Sequence, residues 1–596
     1  MRQVAFALAS ILLAAACATG APPPAPPARE PVRVTVVATN DFHGWLAPHD
    51  ERTDGGAAVP VGGIDVFAGY VRVLRDRGPV VLLDAGDMWQ GTLASNLSEG
   101  AAVVEAYDAL GYDAAALGNH EFDFGPPGDA MVAREPGEDA LGALKARAAQ
   151  AHFPLLAANV FERGSDRVPE WVRPSVIVER AGVRIGVVGL ATADTPQVTI
   201  SANVRDLRFT DPLVAAIAEG RRLRKAGVDA LVLLAHIGGT CVDGEGASSR
   251  PCEGELPDLV RRLPPRLYDA AIGGHTHRVV QTTVNGVPIV ESGALGKAFG
   301  TIELAIDPEK RTVTTVHARA GIEICARHVA GTDRCDPTAG AQGTLVPATF
   351  RGSPVGADPA IAALVRRHLD RVEAVRARRL GAILPATLRL DYDGESDVGN
   401  LVADAMRAQV PAATLAITNS GGLRAELPEG EVTFGDVFET LPFNNGLSVL
   451  RVKGRMLREL VRAGFAGVHG GLQVSDNVEV VVDLAASQAC ATDDIDGDGA
   501  VTPLDRDRLA GLRVNGEDVR DDAEYVVVTN DFLAGGGGGW DRVIARLPPG
   551  SVADVDGRPL QRDAFVRWLE GRGRVVVPAK GRITLRGRAP ACPPGR

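Results

Sequence analysis

The sequence predicts an α/β fold in two domains, and three observations carry that prediction. Its 596 residues are too many for one hydrophobic core, because single cores stop growing beyond roughly 250–300 residues. From Val32 to about Ala320, short β-branched runs alternate with Ala- and Arg-rich stretches, the pattern of strands joined by helical crossovers. Beyond Gly381 the same mixture resumes, after one long amphipathic stretch. Apolar content of 45% with 23% charged residues is that of an ordinary globular protein. The net charge of -12 argues against a reader of nucleic-acid polymer backbones.

Residues 1–17 hold one early Arg, an apolar run and Ala14-Ala15-Ala16 before Cys17, which is a secretory signal and too short to span a bilayer. Its ending resembles a bacterial lipoprotein processing site, which implies a lipidated Cys17 and an exported protein, periplasmic or anchored to the outer membrane. Membrane contact is then through the lipid alone, and no obligate protein partner is inferred. The Pro-rich residues 18–32 read as an extended tether. Residues 33–320 form the first domain, with strands at Arg184–Val188 and Ala230–Leu234 and a helix from Leu213 to Lys225. Residues 321–357, rich in Gly, Pro, Thr and Cys without periodicity, read as an irregular surface segment. Residues 358–380 read as a connector helix: Asp358 is the N-cap and Pro359 the first helical residue. Ile361, Leu364, Val365, Leu369, Val372 and Val375 share one face of it. Residues 381–588 make the second domain, with a helix through NLVADAMRAQ and strands at TLAIT and YVVVT.

Six cysteines besides Cys17 in an oxidising compartment predict disulfides. Cys241 with Cys252 and Cys325 with Cys335 are close enough for loop clips, which leaves Cys490 and Cys592. Fifteen connectivities are formally open.

Four stretches end an apolar run in metal-capable side chains: VVATNDFHG at Asp41 and His43, VVLLDAGDMWQG at Asp87, AAALGNHEFD at Asn119 and His120, and LVLLAH at His236 with AAIGGHTH at His275 and His277. Two-metal phosphoester hydrolysis needs a bridging carboxylate, neutral imidazoles and a further oxygen ligand projecting from rigid strand ends. Asp87, beside Gly86, is the bridging candidate. The mixed nitrogen and oxygen set suits zinc, manganese, cobalt or iron. Each residue alone has a plainer reading, as a helix cap or a surface histidine, but five of the 11 histidines fall in these strand-end motifs, and that concentration favours a metal centre.

Together these motifs resemble the calcineurin-like metallophosphoesterase superfamily, and within it the bacterial secreted 5'-nucleotidase family, from Val34 to about Arg586. The resemblance implies an N-terminal four-layer β-sandwich flanked by helices and a C-terminal substrate-binding domain. It implies one metal held by Asp41, His43, Asp87 and His277, and another by Asp87, Asn119, His236 and His275. His120 would stabilise the transition state or protonate the leaving oxygen, with Asp123 orienting it. GESDVGNLVADAM, TNSGGLR, LPFNN and TNDFLAGGGGGW resemble the family's specificity domain. They imply a nucleobase between Phe443 and Phe532, and sugar or phosphate oxygens at Asn419 and Arg424, with Gly422 allowing close backbone approach. Two positions depart from the family: Gly538 stands where an acidic residue is common, and Tyr392 where an arginine is usual, with Arg389 the nearest guanidinium.

Asp494, Asp496, Asp498 and Asp505 fall at the first, third, fifth and twelfth places of DIDGDGAVTPLD, the spacing of a calcium loop inserted at 494–505. The expectation is an exported dinuclear phosphohydrolase acting on nucleoside 5'-monophosphates and related nucleotides. Alternatives are a 2',3'-cyclic-nucleotide or nucleotide-sugar phosphodiesterase and a calcium-braced, non-catalytic surface binding protein.

Overall fold

The computed structural model of the protein describes residues 30–587, apart from 53–57, 129–130, 134, 136, 242–251, 336–343, 393, 466–470, 485–507 and 557–558. Cys17, Cys490, Cys592 and the calcium-loop residues lie outside the described residues.

The first domain is built on two six-stranded sheets. In one, Val32–Thr39 lies between Ala298–Asp307, antiparallel to it, and Val80–Asp84, parallel to it. Ala114–Ala116 and Leu155–Leu156 continue the parallel run, and Thr312–Glu323 closes the other edge. In the second, Ala230–His236 is central and pairs in parallel with Val183–Ala191 and Ala270–Ile272. Val36, Val81, Leu83 and Ala114 pack against Val187, Val232, Leu234 and Ile272 in a core between the sheets. The alternate side chains, Val37 and Leu82 among them, face the helices Ile64–Arg75 and Ala101–Leu110. The helices Pro212–Lys225 and Glu255–Arg262 cover the other sheet. Burial on both faces explains the continuous apolar runs, since parallel strands covered by helices have no solvent face. The result is the four-layer sandwich, and the carboxyl ends of its parallel strands share one edge, where ligands of open α/β sheets bind.

The segment expected to be irregular surface is more ordered than that. The strand Thr312–Glu323 runs into it, Cys325 pairs with Cys335, and both sulfurs are buried. Ala348, Phe350 and Val355 join the core beside Tyr70 and Phe299. Apolar residues spaced without periodicity reached the core through short strand pairs, which pattern reading does not register. Cys241 pairs with Cys252 across Thr240–Cys241 and Cys252–Glu253.

Asp358 caps the helix Pro359–Arg376 by accepting from the N–H groups of Ala360 and Ile361. Ile361, Leu364 and Val365 pack on the first domain, and Val372 meets Phe438 of the second. Val375 departs from the expected face, being 43% exposed in the last turn. The second domain centres on a five-stranded sheet ordered Leu472–Val474, Leu415–Asn419, Glu524–Asn530, Leu447–Lys453 and Val552–Asp554. Among the described residues, no helix is long and apolar enough to cross a membrane.

Candidate metal centre and adjoining cleft

The residues singled out from the four motifs all stand at or just beyond the carboxyl ends of parallel strands. Five of them hold left-handed backbone: Asp41, His43, Asp87, His275 and His277 have φ of 49°, 51°, 58°, 78° and 56°. Such conformations cost non-glycine residues on the order of 1–3 kcal/mol each and persist where the surroundings over-determine them. Here the loops brace one another. Asp41 N–H donates to Gly86 O and His43 N–H to Asp87 O, both at 2.9 Å. His275 N–H donates to both Asp41 carboxylate oxygens, at 3.0 and 2.9 Å.

Three buried carboxylates behind the cluster hold the loops, and sequence reading missed all three. Glu121 accepts from the N–H groups of Asp87, Met88 and Gly118 at 2.9, 2.7 and 2.7 Å. Burial, with the charge of Asp87 added, raises its carboxyl to about 8. Asp84 accepts from Thr39 Oγ1 at 2.7 Å, Gly86 N–H at 2.8 Å and Tyr107 OH at 2.9 Å, and burial raises it to about 6. Glu291 accepts from Thr276 Oγ1 at 2.7 Å and from Gly239 and Arg278 N–H at 3.3 Å. Glu121 and Asp84 lie inside the quoted motifs, whereas Glu291 in IVES carries no sequence signal.

The side chains fall into two groups, Asp41 with His43 and His277, and Asp87 with His236 and His275. The Nδ1 atoms of His43 and His236 face the carbonyls of Gln90 and Ala85 at 2.8 and 2.9 Å. That pairing leaves each Nε2 turned to the cluster, as backbone-anchored metal ligands require. Asn119 Nδ2 donates to Val198 O at 2.9 Å, which aims its Oδ1 toward His236 Nε2 at 3.1 Å. Asp87 Oδ2 is buried without a hydrogen bond. It stands 3.1 Å from His236 Nε2 and 3.8 Å from His43 Nε2, one from each group. An orphaned buried carboxylate oxygen at the junction of two ligand groups fits a bridge between two cations. Burial works against a charged His236, but the carboxylates of Asp87, Asp41 and Glu121 outweigh it and raise the ring to about 10, while His277 holds the Asp41 carboxyl at about 2 against its burial. Burial, with the neighbouring histidines, lowers His43 and takes His275 to about 3, so the field differs from ring to ring across the cluster.

His120 stands at the edge. Its Nδ1 meets Asp123 Oδ2 at 2.6 Å, and Thr199 Oγ1 donates to the other Asp123 oxygen at 2.7 Å. Its Nε2 accepts from Arg424 Nη2 of the second domain at 2.9 Å. From there a cleft of about 50 Å³ opens, lined by His120, Asp123, Val198, Thr199, Ile200, Asn419, Phe443, Asn445 and Phe532. Thr199, Ile200 and Asn445 were not singled out from the sequence, and no motif marks the first two. The Phe532 ring sits so close to Gly537 that an added Cβ there would lie 2.5 Å from it. Asn419 Oδ1 accepts from Asn530 at 2.9 Å, and a Cβ on Gly422 would lie 3.1 Å from that oxygen. The Arg424 guanidinium is 5.3 Å from the Phe443 ring centroid. Arg389 pairs instead with Glu426 at 3.7 Å.

Residues 34–279 match the calcineurin-like phosphoesterase model, and residues 376–545 the 5'-nucleotidase C-terminal domain. The chain belongs to the calcineurin-like phosphoesterases that carry a 5'-nucleotidase C-terminal domain. Members of this family are metal-dependent phosphoester hydrolases. The chain is similar to Endonuclease YhcR of Bacillus subtilis, 27% identical over 570 residues, which are 94% of this chain and 41% of that protein. It therefore spans less than half the length of that relative. It is also 24% identical to 5'-nucleotidase of Bos taurus, over 87% of this chain and 85% of that one. The crystal structure of a 5'-nucleotidase precursor from Thermus thermophilus superposes with a TM-score of 0.73 at 26% identity, covering 93% of this chain and 99% of that one.

Proposed function

We propose that this phosphoesterase removes phosphate from nucleoside 5'-monophosphates and related nucleotides. The observation that carries the reading is the position of Asp87 Oδ2 between two ligand groups whose edge, at His120 and Arg424, opens into a cleft with two phenylalanines. Asp41, His43, Asp87 and His277 would hold one divalent ion, and Asp87, Asn119, His236 and His275 the other, as zinc, manganese, cobalt or iron. When bound, such ions supply charge neutralisation at the phosphoryl oxygens and an activated water.

The chain's own residues do the rest. Arg424 presents planar donors to the phosphate, and in turning toward it releases His120 Nε2. His120, oriented through Nδ1 by Asp123, then takes a proton from solvent on the freed Nε2 and passes it to the leaving 5'-oxygen. Phe443 and Phe532 face the base, a contact tolerant of base identity, while Asn419 and the backbone at Gly422 meet the sugar. Export with a lipid on Cys17, and calcium held by Asp494, Asp496, Asp498 and Asp505, are proposed on sequence grounds. One equivalent of tightly held calcium, absent from Asp496→Ala, is the corresponding test.

Phosphate release from AMP, UMP, UDP-glucose, 2',3'-cyclic AMP and bis-p-nitrophenyl phosphate, with manganese, zinc or cobalt supplied, tests the main reading. Turnover of the monophosphates supports it, and turnover of diesters alone overturns it in favour of a phosphodiesterase.

A further inference from the structure

The second domain lines the cleft beside His120 with Asn419, Phe443, Asn445 and Phe532, which stand on three separate loops. Two adjacent residues behind the cleft hold all three. Gln561 and Arg562 open the helix Gln561–Leu569 and are buried, 3% and 6% exposed. Neither lies in a motif singled out from the sequence. The Gln561 N–H donates to Asn445 O at 2.8 Å. Its side-chain Nε2 donates to Thr418 Oγ1, beside Asn419, at 2.8 Å, and its Oε1 accepts from Asn530 Nδ2 at 3.3 Å. Asn530 in turn donates to Asn419 Oδ1 and accepts from Leu533 N–H, both at 2.9 Å, which caps the short helix Asp531–Ala534 carrying Phe532. Arg562 spreads its guanidinium over the remaining loop. Its Nη1 donates to the carbonyls of Leu441, Pro442 and Phe443 at 3.2, 3.4 and 3.4 Å, and its Nη2 to Asn444 Oδ1 at 2.6 Å. The Phe438 ring centroid lies 4.4 Å from the guanidinium carbon. Burial lowers the guanidinium to about 10, so it stays charged at neutral pH. A buried cation is costly to keep, yet among the described residues its hydrogen bonds all go to uncharged oxygens of that one loop. What the charge secures is therefore the course of residues 441–444.

We propose that Gln561 and Arg562 are positioning residues of the base subsite: from the start of one helix they set the gap between Phe443 and Phe532. The inference rests on the proposed stacking of a base between those two rings. Arg562 fixes the loop that carries Phe443, and Gln561, through Asn530, fixes the helix that carries Phe532. Neither touches the substrate, and each acts through the ring it places. A gap held in this way exists before the base arrives, so binding a base need not order the two loops.

The test compares kcat/KM for AMP with that for ribose 5-phosphate, which lacks the base. With about tenfold from each stacking face, the wild-type protein should prefer AMP by about a hundredfold. Arg562→Met should lower that preference by about tenfold, with the change in KM for AMP. In a Phe443→Ala background the same substitution should lower it no further, because a residue that acts through a ring has no effect once the ring is gone. Gln561→Met should behave alike against Phe532→Ala. Asn444→Ala removes one acceptor and keeps the buried charge, so it should lower the preference by about threefold, as for one lost hydrogen bond. Asn444→Asp, which keeps an acceptor, should not. Asn444→Ala carries the test by itself if Arg562→Met fails to fold. An unchanged preference in these variants, or losses that add in full to that of Phe443→Ala, overturn the positioning role and leave the base reading standing. Equal efficiencies on the two substrates in the wild type overturn both.

Discussion

Replacing Gly118 by alanine is the sharpest structural perturbation available at the cluster. Gly118 has no left-handed backbone that alanine would strain. Its added methyl alone carries the effect. A Cβ there would lie 2.1 Å from Asp87 Oδ1, 2.4 Å from Asp87 N and 2.8 Å from Asp87 Cγ. Ordinary contact begins near 3.4 Å, so the GNH loop and the Asp87 loop must part by about 1 Å. Both loops carry proposed ligands, and both are tied to Glu121. A displacement of about 1 Å at a reacting centre costs on the order of 10²-fold in rate. The assay is kcat/KM for AMP at saturating manganese, together with bound metal per chain by elemental analysis. Gly78→Ala serves as the control, because nothing lies within 4 Å of its Cβ position. Gly118→Ala should lose about 10²-fold in kcat/KM and bind less metal, with Gly78→Ala unchanged. Wild-type rate and metal content in Gly118→Ala would refute the reasoning, since Asp87 would then not need its position.

Asp123→Asn should lower kcat by about 10²-fold, typical of a disturbed general acid, with KM for AMP nearly unchanged; a fall in KM-dependent binding alone would contradict the role given to His120. Phe443→Ala should raise KM for AMP by about tenfold, as for one lost stacking face, and leave p-nitrophenyl phosphate hydrolysis less affected; equal losses on both substrates would count against the base pocket. His49 supplies a pH test. Burial, with the charge of Lys297 adding to it, lowers its pKa to about 3 from an ordinary 6.5. Between those values the unfolded chain binds the extra proton, so this contribution to stability is complete above pH 6.5 and is lost as pH falls toward 3. The loss should reach about 2 kcal/mol by pH 5. Urea midpoints at pH 7 and pH 5 should differ more for the wild type than for His49→Gln, and equal pH dependence in the two would remove the claim.

What was legible in the chain followed from local rules. Asp358 followed by Pro359 marked the start of its helix, because cap and first-turn chemistry act within four residues. Asp41, Asp87, Asn119, His236, His275 and His277 stood out because apolar strands ended in glycine and metal-capable side chains together. Thr199 and Ile200 did not, since their place in the cleft depends on Asn119 holding the Val198 carbonyl and Thr199 reaching Asp123 across 76 positions. Glu291 was hidden for a like reason: its partners Gly239, Thr276 and Arg278 meet it only once the second sheet has formed. The Cys325 to Val355 segment was misread as surface because its core contacts come from isolated apolar residues without a period. Tyr392 was visible as an exception, but the cavity beside His277 that it lines joins two domains and has no sequence signature.

The central claim is that two cations held through Asp87 make this chain a nucleotide phosphatase. Its most direct test is phosphate release from AMP by protein stripped with chelator and then titrated with manganese. The account predicts no turnover in the stripped protein and full recovery at two equivalents per chain, with Asp87→Asn unable to recover. Turnover that survives chelation, or is complete in Asp87→Asn, would contradict it.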